Sequence, residues 1–270
     1  MPVNAKAIAA EVLEALDSGR QIEPLSRRAA GMSVDDTYRV TGALRRLRIA
    51  RDEQPVGRKI GFTNRNIWAE YGVHQPIWGD VYDTTLHEIG PGERISVMHL
   101  QEPRIEPEII LGLGCDLAPG MSLDEIAAGI AWVAHGFEIV QSIYPGWKFE
   151  AADCILDGGL HGALCIGPRL ELDEAASRTL ARDLSGLTLS LDRDGETVDT
   201  GVGANALDGP VHALRHLVEV LSRDSVNPPL RKGELVTTGT LTRAFPVEAG
   251  QCWSTAIEGF RLPGLRLQIV

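Results

Sequence analysis

Two acidic residues, Glu106 and Glu108, interrupt a stretch of apolar residues that favour extended backbone. Side chains alternate between the two faces of a strand, so these two carboxylates point the same way. Carboxylates held side by side repel each other unless a cation or a shared proton lies between them. The pair therefore indicates either a cation site or a solvated strand face. Pro107 between them favours a strand at the rim of a sheet.

A third acidic residue, Glu138, lies thirty positions after Glu108. The segment His135–Ser142 around it has the composition of a second strand. Three carboxylates on two strands suit Mg²⁺ or Mn²⁺, which prefer oxygen donors and keep exchangeable waters. We therefore predict that Glu106, Glu108 and Glu138 bind one divalent cation.

Three further segments contain residue types that are common in functional sites. Lys59 lies between glycines in residues 57–63, a pattern that lacks the spacing of a phosphate-binding loop and is equally typical of a surface turn. His74 and Trp78 share a predicted loop that could act as a lid, although a lone histidine is more often structural. His161 lies at the edge of a glycine-rich turn whose backbone N–H groups could approach a ligand closely.

The composition excludes two classes of partner. The chain has 270 residues, of which 44% are hydrophobic and 23% charged, as in an ordinary globular protein. Its formal net charge of −11 argues against nucleic acid or an anionic membrane, because either partner requires a basic face. No segment has the length of a signal-peptide core or a membrane span, and the four cysteines lack metal-finger spacing. We therefore expect a cytoplasmic protein with reduced cysteines.

The N-terminal part of the chain is predicted to be helical. Residues 4–50 are rich in Ala, Leu and Arg, with one helix ending at Ser18-Gly19 and a second one capped by Ser33. This pattern predicts an N-terminal helical segment, residues 1–55, that packs as a cap on a larger body.

The remainder, residues 56–270, is predicted to be a β-rich catalytic domain. A helix is expected from Ser122 through Val133 and another from Pro210, and residues 187–200 are expected to form a hairpin. Further strands are predicted over residues 95–99, 105–113, 234–238, 252–257 and 265–270. Because strands and helices do not alternate regularly, the fold class is a mixed α+β fold.

The order of several motifs resembles the fumarylacetoacetate hydrolase superfamily, in its branch of 2-keto-4-pentenoate hydratases and 4-oxalocrotonate decarboxylases. The resemblance covers the chain from about residue 30 to the end, and it is specific only when the motifs are taken together. The matching motifs are Lys59-Ile-Gly-Phe-Thr63, Glu106-Pro-Glu108, Phe137-Glu138-Ile139, Trp147-Lys148, Asp157 with Gly162 and Gly167, Gly239-Thr-Leu-Thr242, and Pro246-Val247.

The resemblance implies a β-roll or β-sandwich-like catalytic body, a homo-oligomer, and Mg²⁺ or Mn²⁺ on the three glutamates. It also implies a small-molecule 2-oxo acid as substrate. A 2-oxo acid chelates such an ion through its carboxylate and its 2-oxo group, and the stabilised enolate serves water addition, decarboxylation and carbon–carbon hydrolysis alike. The substrate contacts that it implies are Trp78, Lys148, Asp157, Gly162 and Thr240.

The leading hypothesis is a metal-dependent lyase, a hydratase or decarboxylase of 2-oxo or 2-hydroxydienoic acids from aromatic-compound breakdown. A second hypothesis, within the same superfamily, is a carbon–carbon hydrolase acting on acylpyruvate-like substrates. A third, of another class, is a non-catalytic partner subunit of a hydratase–decarboxylase complex, which would not need an intact set of metal ligands.

Two departures from the branch concern proton transfer. Ile77 stands where the branch usually has an acid, and His161 replaces a small hydroxyl residue in the segment Asp157–Gly162. Lys59 is the candidate for balancing negative charge and moving a proton. His161, or else His74, is the candidate that replaces the missing acid.

Overall fold

The computed structural model describes residues 4–28, 32–65, 68–71, 75–90 and 92–270, with only the backbone at 70 and 71. Among these residues, no helix is both long enough and apolar enough to cross a membrane. The helices are α1 Ala5–Ser18, α2 Leu25–Arg28, α3 Val34–Ile49, α4 Trp68–Tyr71, α5 Leu123–Ala128, α6 Ala151–Leu156, α7 Glu174–Ser177, α8 Leu180–Gly186 and α9 Pro210–Ser222.

The described strands form two sheets. The larger sheet has the order β2-β1-β11-β5-β6-β7-β3, with β12 on β5 and β8 on β6, and the smaller has the order β10-β9-β13-β14-β4. The strands are β1 Pro55–Gly61, β2 Ile77–Tyr82, β3 Leu86–Glu88, β4 Glu93–Ile95, β5 Arg104–Leu113, β6 Ile130–Val140, β7 His161–Ile166, β8 Leu170–Glu171, β9 Thr188–Arg193, β10 Glu196–Val202, β11 Leu235–Thr240, β12 Phe245–Pro246, β13 Cys252–Glu258 and β14 Arg266–Ile269.

Strand β5 is central and separates two environments. Its residues Ile105, Ile109 and Leu111 belong to the main apolar core, together with Trp253 and Leu267 of the smaller sheet. Because side chains alternate along a strand, the intervening residues point to the opposite face of the larger sheet. The two glutamates of β5 lie on that face.

The expectation that Pro107 marks a sheet rim is wrong. Pro107 pairs with Phe137 in the interior of the sheet, and the Leu241 N–H donates to its carbonyl at 3.0 Å. Because proline has no N–H, Pro107 cannot donate to the Leu241 carbonyl in return. The Leu241 carbonyl instead accepts a hydrogen bond from Asn205 Nδ2 at 2.8 Å, so this carbonyl still has a donor.

The N-terminal helices begin and end as expected. Gly19 ends α1 in the left-handed conformation, with φ of 66°, and Ser33 forms a capping box with Asp36 at the start of α3. Their apolar side chains share one cluster with Tyr144 and Leu156 of the following body. The predicted helical segment is therefore packed on the β-rich region rather than separated from it.

One helix is shorter than predicted. The capping box at Ser122 is present, but α5 ends at Ala128, and Val133 lies in strand β6. The apolar spacing over residues 126–133 fits a helix and a buried strand equally well. Residues 130–133 form a strand because they pair with β5.

The C-terminal predictions are mostly confirmed. Residues 188–202 form the expected hairpin, with Asp194 and Gly195 both at positive φ in its turn. Helix α9 begins at Pro210, and β11, β13 and β14 lie where strands are expected. Strand β4 ends at Ile95, so the strand predicted over residues 95–99 is wrong beyond its first residue.

Candidate metal and active site

The three glutamates predicted to share a cation lie together. Glu106 and Glu138 face each other directly in the β5–β6 ladder, and Glu108 is the next residue on the same face. Each offers an oxygen atom, and these atoms all lie within 4.8 Å of one another. Glu108 and Glu138 are fully buried. The arrangement follows from strand alternation together with the antiparallel register.

Glu108 and Glu138 each have one carboxylate oxygen held by the protein and one that receives no hydrogen bond from the described part of the chain. The Thr237 hydroxyl and the Gly239 N–H, the latter at 2.9 Å, donate to Glu108 Oε2, whereas Oε1 has no hydrogen-bond partner among the residues that the structure describes. His161 Nδ1 lies 2.8 Å from Glu138 Oε1. Glu138 Oε2 is 3.1 Å from the Lys59 ammonium but lacks hydrogen-bond alignment with it. Buried oxygens of this kind suit a ligand that the chain itself does not supply.

The electrostatics of the cluster favour a bound cation. Burial raises the pKa of Glu106 to about 7, and burial with repulsion from its neighbours raises the pKa of Glu108 well above its ordinary value. Burial acts in the same direction on Glu138, but Lys59 and His161 outweigh it and lower the pKa of Glu138. One ammonium therefore does not balance three carboxylates, and a divalent cation would remove the remaining repulsion.

Lys59 lies inside strand β1 with 3% of its surface exposed, so the alternative of a surface turn is wrong. Its ammonium donates to the Gly159 carbonyl at 2.8 Å and faces Glu138. A Cβ on Gly159 would lie 2.8 Å from Lys59 Cδ, so glycine is needed for the turn to approach the lysine. Burial favours the neutral amine, yet the three carboxylates outweigh it and raise the pKa of Lys59.

His161 opens strand β7 behind Glu138. Besides its contact with Glu138, its Nε2 lies 2.8 Å from Thr85 Oγ1. The ring lines a narrow crevice with Asp157, Asp80 and Tyr82, between the body and the N-terminal helices. Both nitrogens of His161 are thus engaged by the protein.

A separate cavity of about 180 Å³ opens above Glu106 and Lys59. Thr240 lines it, as the resemblance implies, and Ile77 forms part of its apolar wall with Val140 and Leu160. Two arginines and two aromatic residues of the lining were missed by sequence reasoning: Arg104, Arg243, Trp147 and Phe245. Arg104 could have been found, since it precedes Glu106 by two residues on the same strand face.

The other predicted contacts lie away from this cavity. Trp78 is on strand β2 rather than a lid, and its buried ring stacks on Tyr38 with centroids 4.8 Å apart. Strand alternation turns it away from the face of Ile77. Lys148 lines a different surface cavity. Gly162 packs in strand β7, where a Cβ would lie 2.7 Å from the Ile139 carbonyl oxygen.

Asp157 lines the crevice of His161 and accepts the Ile143 N–H at 3.1 Å, and burial raises its pKa well above its ordinary value. His74 lies outside the described residues. Of the implied substrate contacts, only Thr240 is brought to the cavity of Glu106.

Comparison with known proteins finds hydratases that are similar to this chain over nearly its whole length. The chain is 32% identical to 2-hydroxyhexa-2,4-dienoate hydratase of Comamonas testosteroni over 91% of this chain and 90% of that protein. It is 32% identical to 2-keto-4-pentenoate hydratase of Paraburkholderia xenovorans over 96% of this chain and 93% of that protein. No family model matches the chain.

Two solved structures extend the comparison. 4-Oxalocrotonate decarboxylase from Pseudomonas putida G7, complexed with magnesium and adipate, superposes with a TM-score of 0.88 at 26% identity, covering 98% of this chain and 97% of that one. Fumarylpyruvate hydrolase from Pseudomonas aeruginosa, in complex with Mn²⁺ and pyruvate, gives 0.60 at 17% identity, covering 79% and 88%. The second likeness concerns the fold alone.

Proposed function

Because this chain belongs to the family of 2-keto-4-pentenoate hydratases and 4-oxalocrotonate decarboxylases, in the fumarylacetoacetate hydrolase superfamily, we propose that it is a divalent-metal-dependent lyase of 2-oxo or 2-hydroxydienoic acids. The motif resemblance and the predicted α+β fold class are confirmed. The reaction is a hydration or a decarboxylation of the kind used in aromatic-compound breakdown.

The observation that carries this proposal is the set of three clustered glutamates, two of whose buried oxygens receive no hydrogen bond from any described residue. Glu106, Glu108 and Glu138 would hold Mg²⁺ or Mn²⁺, since both ions prefer oxygen donors. When bound, such an ion supplies Lewis-acid stabilisation of negative charge on the 2-oxo group of the substrate. The 4-oxalocrotonate decarboxylase from Pseudomonas putida G7 has been solved in complex with magnesium and also with calcium.

Lys59 is the residue that we assign to proton transfer. It lines the cavity, and its raised pKa keeps a proton on Nζ, so it is able to donate that proton to a bound substrate. Ile77 leaves the adjacent wall without an acid. Thr240 lines the same cavity and is placed to contact the substrate.

His161 is assigned to positioning rather than to proton exchange with the substrate. Its Nδ1 holds Glu138, and its other nitrogen is engaged by Thr85. A histidine that holds a carboxylate ligand fixes the direction of that ligand's remaining oxygen. The alternative that His161 replaces the missing acid predicts different behaviour in a variant, which is described in the Discussion.

The other two hypotheses receive less support. The hydrolase among the structural relatives shares the fold at 17% identity, whereas the hydratases share sequence over nearly the whole chain. A non-catalytic subunit has no need for three converging carboxylates beside a cavity. Assembly as a homo-oligomer and a cytoplasmic location stay predictions of the sequence.

Metal titration and a substrate panel test the proposal. Calorimetry with Mg²⁺ and Mn²⁺ is expected to show one site in the wild type and none in Glu108→Gln, whereas Glu174→Gln, with an exposed side chain, binds as the wild type does. With metal present, loss of dienoate absorbance or release of CO₂ should identify the reaction. Equal metal binding by Glu108→Gln and the wild type would refute the site.

A further inference from the structure

A surface cavity of about 350 Å³ lies between α3, α9 and the beginning of β2, and the proposed function does not use it. Trp78 lines this cavity, whereas its neighbour Ile77 lines the cavity of Glu106 and Lys59. Because adjacent strand residues point to opposite faces, β2 separates the two cavities. The volume lies in the range of small-molecule sites, about 300–1,000 Å³.

The indole N–H of Trp78 is a buried donor that lacks an acceptor. Trp78 is 1% exposed, and its Nε1 has no hydrogen-bond partner among the residues that the structure describes. Tyr38 stacks on the indole ring, and the Arg58 guanidinium carbon lies 5.5 Å from the ring centroid. With its faces covered in this way, the ring meets the cavity with its edge. Because buried indole N–H groups usually have an acceptor, a ligand in the cavity would supply the one that the described chain does not.

The α9 side of the cavity is positively charged. Arg223 directly follows α9, and its exposed side chain forms no ion pair with any described residue. His216 also lines this side, and burial together with Arg65 and Arg223 lowers its pKa. The guanidinium group of Arg223 is therefore available to an anion.

The two acidic residues of the described lining oppose an anion only weakly. Asp224 Oδ1 accepts the N–H groups of Val226 and Asn227 at 2.8 and 2.9 Å, and its Oδ2 accepts from Asn227 Nδ2 at 2.8 Å. These three donors offset the charge of the carboxylate. Asp35 is exposed in the first turn of α3, where solvent screens its charge.

The rest of the wall is largely apolar. Val34 and Val226 are 45% and 40% exposed, and Pro76 and Val220 extend the same surface. Exposed apolar side chains that cluster at a cavity are typical of a binding site. An apolar wall, an indole N–H and a guanidinium group together match a ligand with an apolar body and one carboxylate.

We propose that this cavity binds a carboxylic acid with an apolar body, whose carboxylate accepts the indole N–H of Trp78 and is attracted by Arg223. The site is separate from the cavity of the three glutamates. The proposal therefore does not depend on the proposed function.

Benzoate and benzamide are suitable probes, because both have an aromatic body and a hydrogen-bond acceptor but only benzoate is charged. Nuclear magnetic resonance of the isotope-labelled protein reports on its five indole N–H groups. The peak that is missing in Trp78→Phe identifies Trp78. Benzoate is expected to shift this peak with a Kd of about 1 mM, and benzamide to bind about tenfold more weakly, the scale of one charged hydrogen bond.

Arg223→Leu should weaken benzoate binding by about tenfold and leave benzamide binding nearly unchanged, because only benzoate loses a charge partner. Since Arg223 is exposed, this variant is expected to remain folded. Arg261→Leu, at an exposed arginine outside the cavity, is the matched control and should bind both probes as the wild type does. A Trp78 peak that benzoate does not shift overturns the proposal, as does undiminished benzoate binding by Arg223→Leu.

Discussion

At the scale of single residues, burial and charge act on Lys59 in opposite directions. Burial favours the neutral amine, while Glu138, Glu106 and Glu108 favour the ammonium and prevail. Lys59→Met should lower turnover by about a hundredfold or more, the usual scale for losing a general acid–base group. Metal affinity should be retained or improved, because a like charge is removed beside the cation.

Steady-state kinetics and metal calorimetry on the same preparations check this expectation. Lys232→Met, at an exposed lysine outside the cavity, is the control and should match the wild type in both measurements. A Lys59→Met variant that turns over the true substrate at nearly the wild-type rate would remove Lys59 from the chemistry.

His161 allows its two proposed roles to be separated by one pair of variants. If the ring only positions Glu138, His161→Asn should recover much of the metal affinity and turnover, because the asparagine amide can replace Nδ1 as the donor. His161→Ala should weaken metal binding by about 10- to 100-fold, the usual scale for losing a residue that orients a ligand. If the ring exchanges protons, the asparagine variant should bind metal normally and remain as inactive as the alanine variant. Calorimetry and turnover together decide between the two roles.

At the scale of elements, His135 joins the two sheets. On strand β6, its Nδ1–H donates to the Glu108 carbonyl at 2.9 Å, and its Nε2 accepts from the Thr255 hydroxyl of β13 at 2.8 Å. This hydroxyl in turn accepts the Leu265 N–H at 3.0 Å. A second proton on the ring would remove the acceptor at Nε2, and the Thr255 hydroxyl would have to turn its hydrogen away. Burial lowers the pKa of His135 to about 4, in agreement with this arrangement.

His135 should therefore make the fold sensitive to acid. An unfolded chain takes up this proton near pH 6.5 and the folded chain only near pH 4, so stability is present above pH 6.5 and is lost as pH falls towards 4. The full loss corresponds to about 3 kcal/mol of unfolding free energy. Relative to wild type, His135→Gln should be less stable at pH 7, and this difference should shrink on acidification. Denaturant unfolding from pH 7 to pH 4 measures it, with His99→Gln, at an exposed histidine, as the control; a constant difference would contradict the expectation.

The elements also show what sequence could and could not predict. Capping residues in the sequence were sufficient to predict the helix ends at Gly19, Ser33 and Pro210. Strand alternation was sufficient to predict that Glu106 and Glu108 lie on the same face of a strand. Pairing between distant strands was not visible, so Val133 was assigned to a helix and Pro107 to a sheet rim. Trp78 was expected to contact substrate from a loop that could act as a lid, but it lies on strand β2, where adjacent residues face opposite sides of the sheet.

At the scale of the whole molecule, the N-terminal helices and the β-rich body are joined by buried charges as well as by apolar contacts. Arg45 of α3 and Arg58 of β1 both lie 3.0 Å from Asp80 Oδ1 on β2. Arg58 is fully buried, and its guanidinium group also lies 3.6 Å from Glu234 Oε1. The guanidinium group of Arg58 also lies 5.5 Å from the Trp78 ring centroid. Asp80 is therefore the shared counter-charge between the helical segment and the sheet.

Asp80→Asn should destabilise the whole molecule in one transition. The substitution removes the carboxylate from between two guanidinium groups, and breaking a buried pair from one side costs about 3–5 kcal/mol, because a buried charge is left uncompensated. Asp208→Asn breaks the exposed pair with Arg65 and should change the unfolding free energy by about 0.5 kcal/mol or less. Chemical denaturation followed by Trp fluorescence and by circular dichroism measures both variants. If the helices and the body unfold separately in Asp80→Asn, the two probes will give different midpoints, whereas coincident midpoints at lower denaturant support a single cooperative unit.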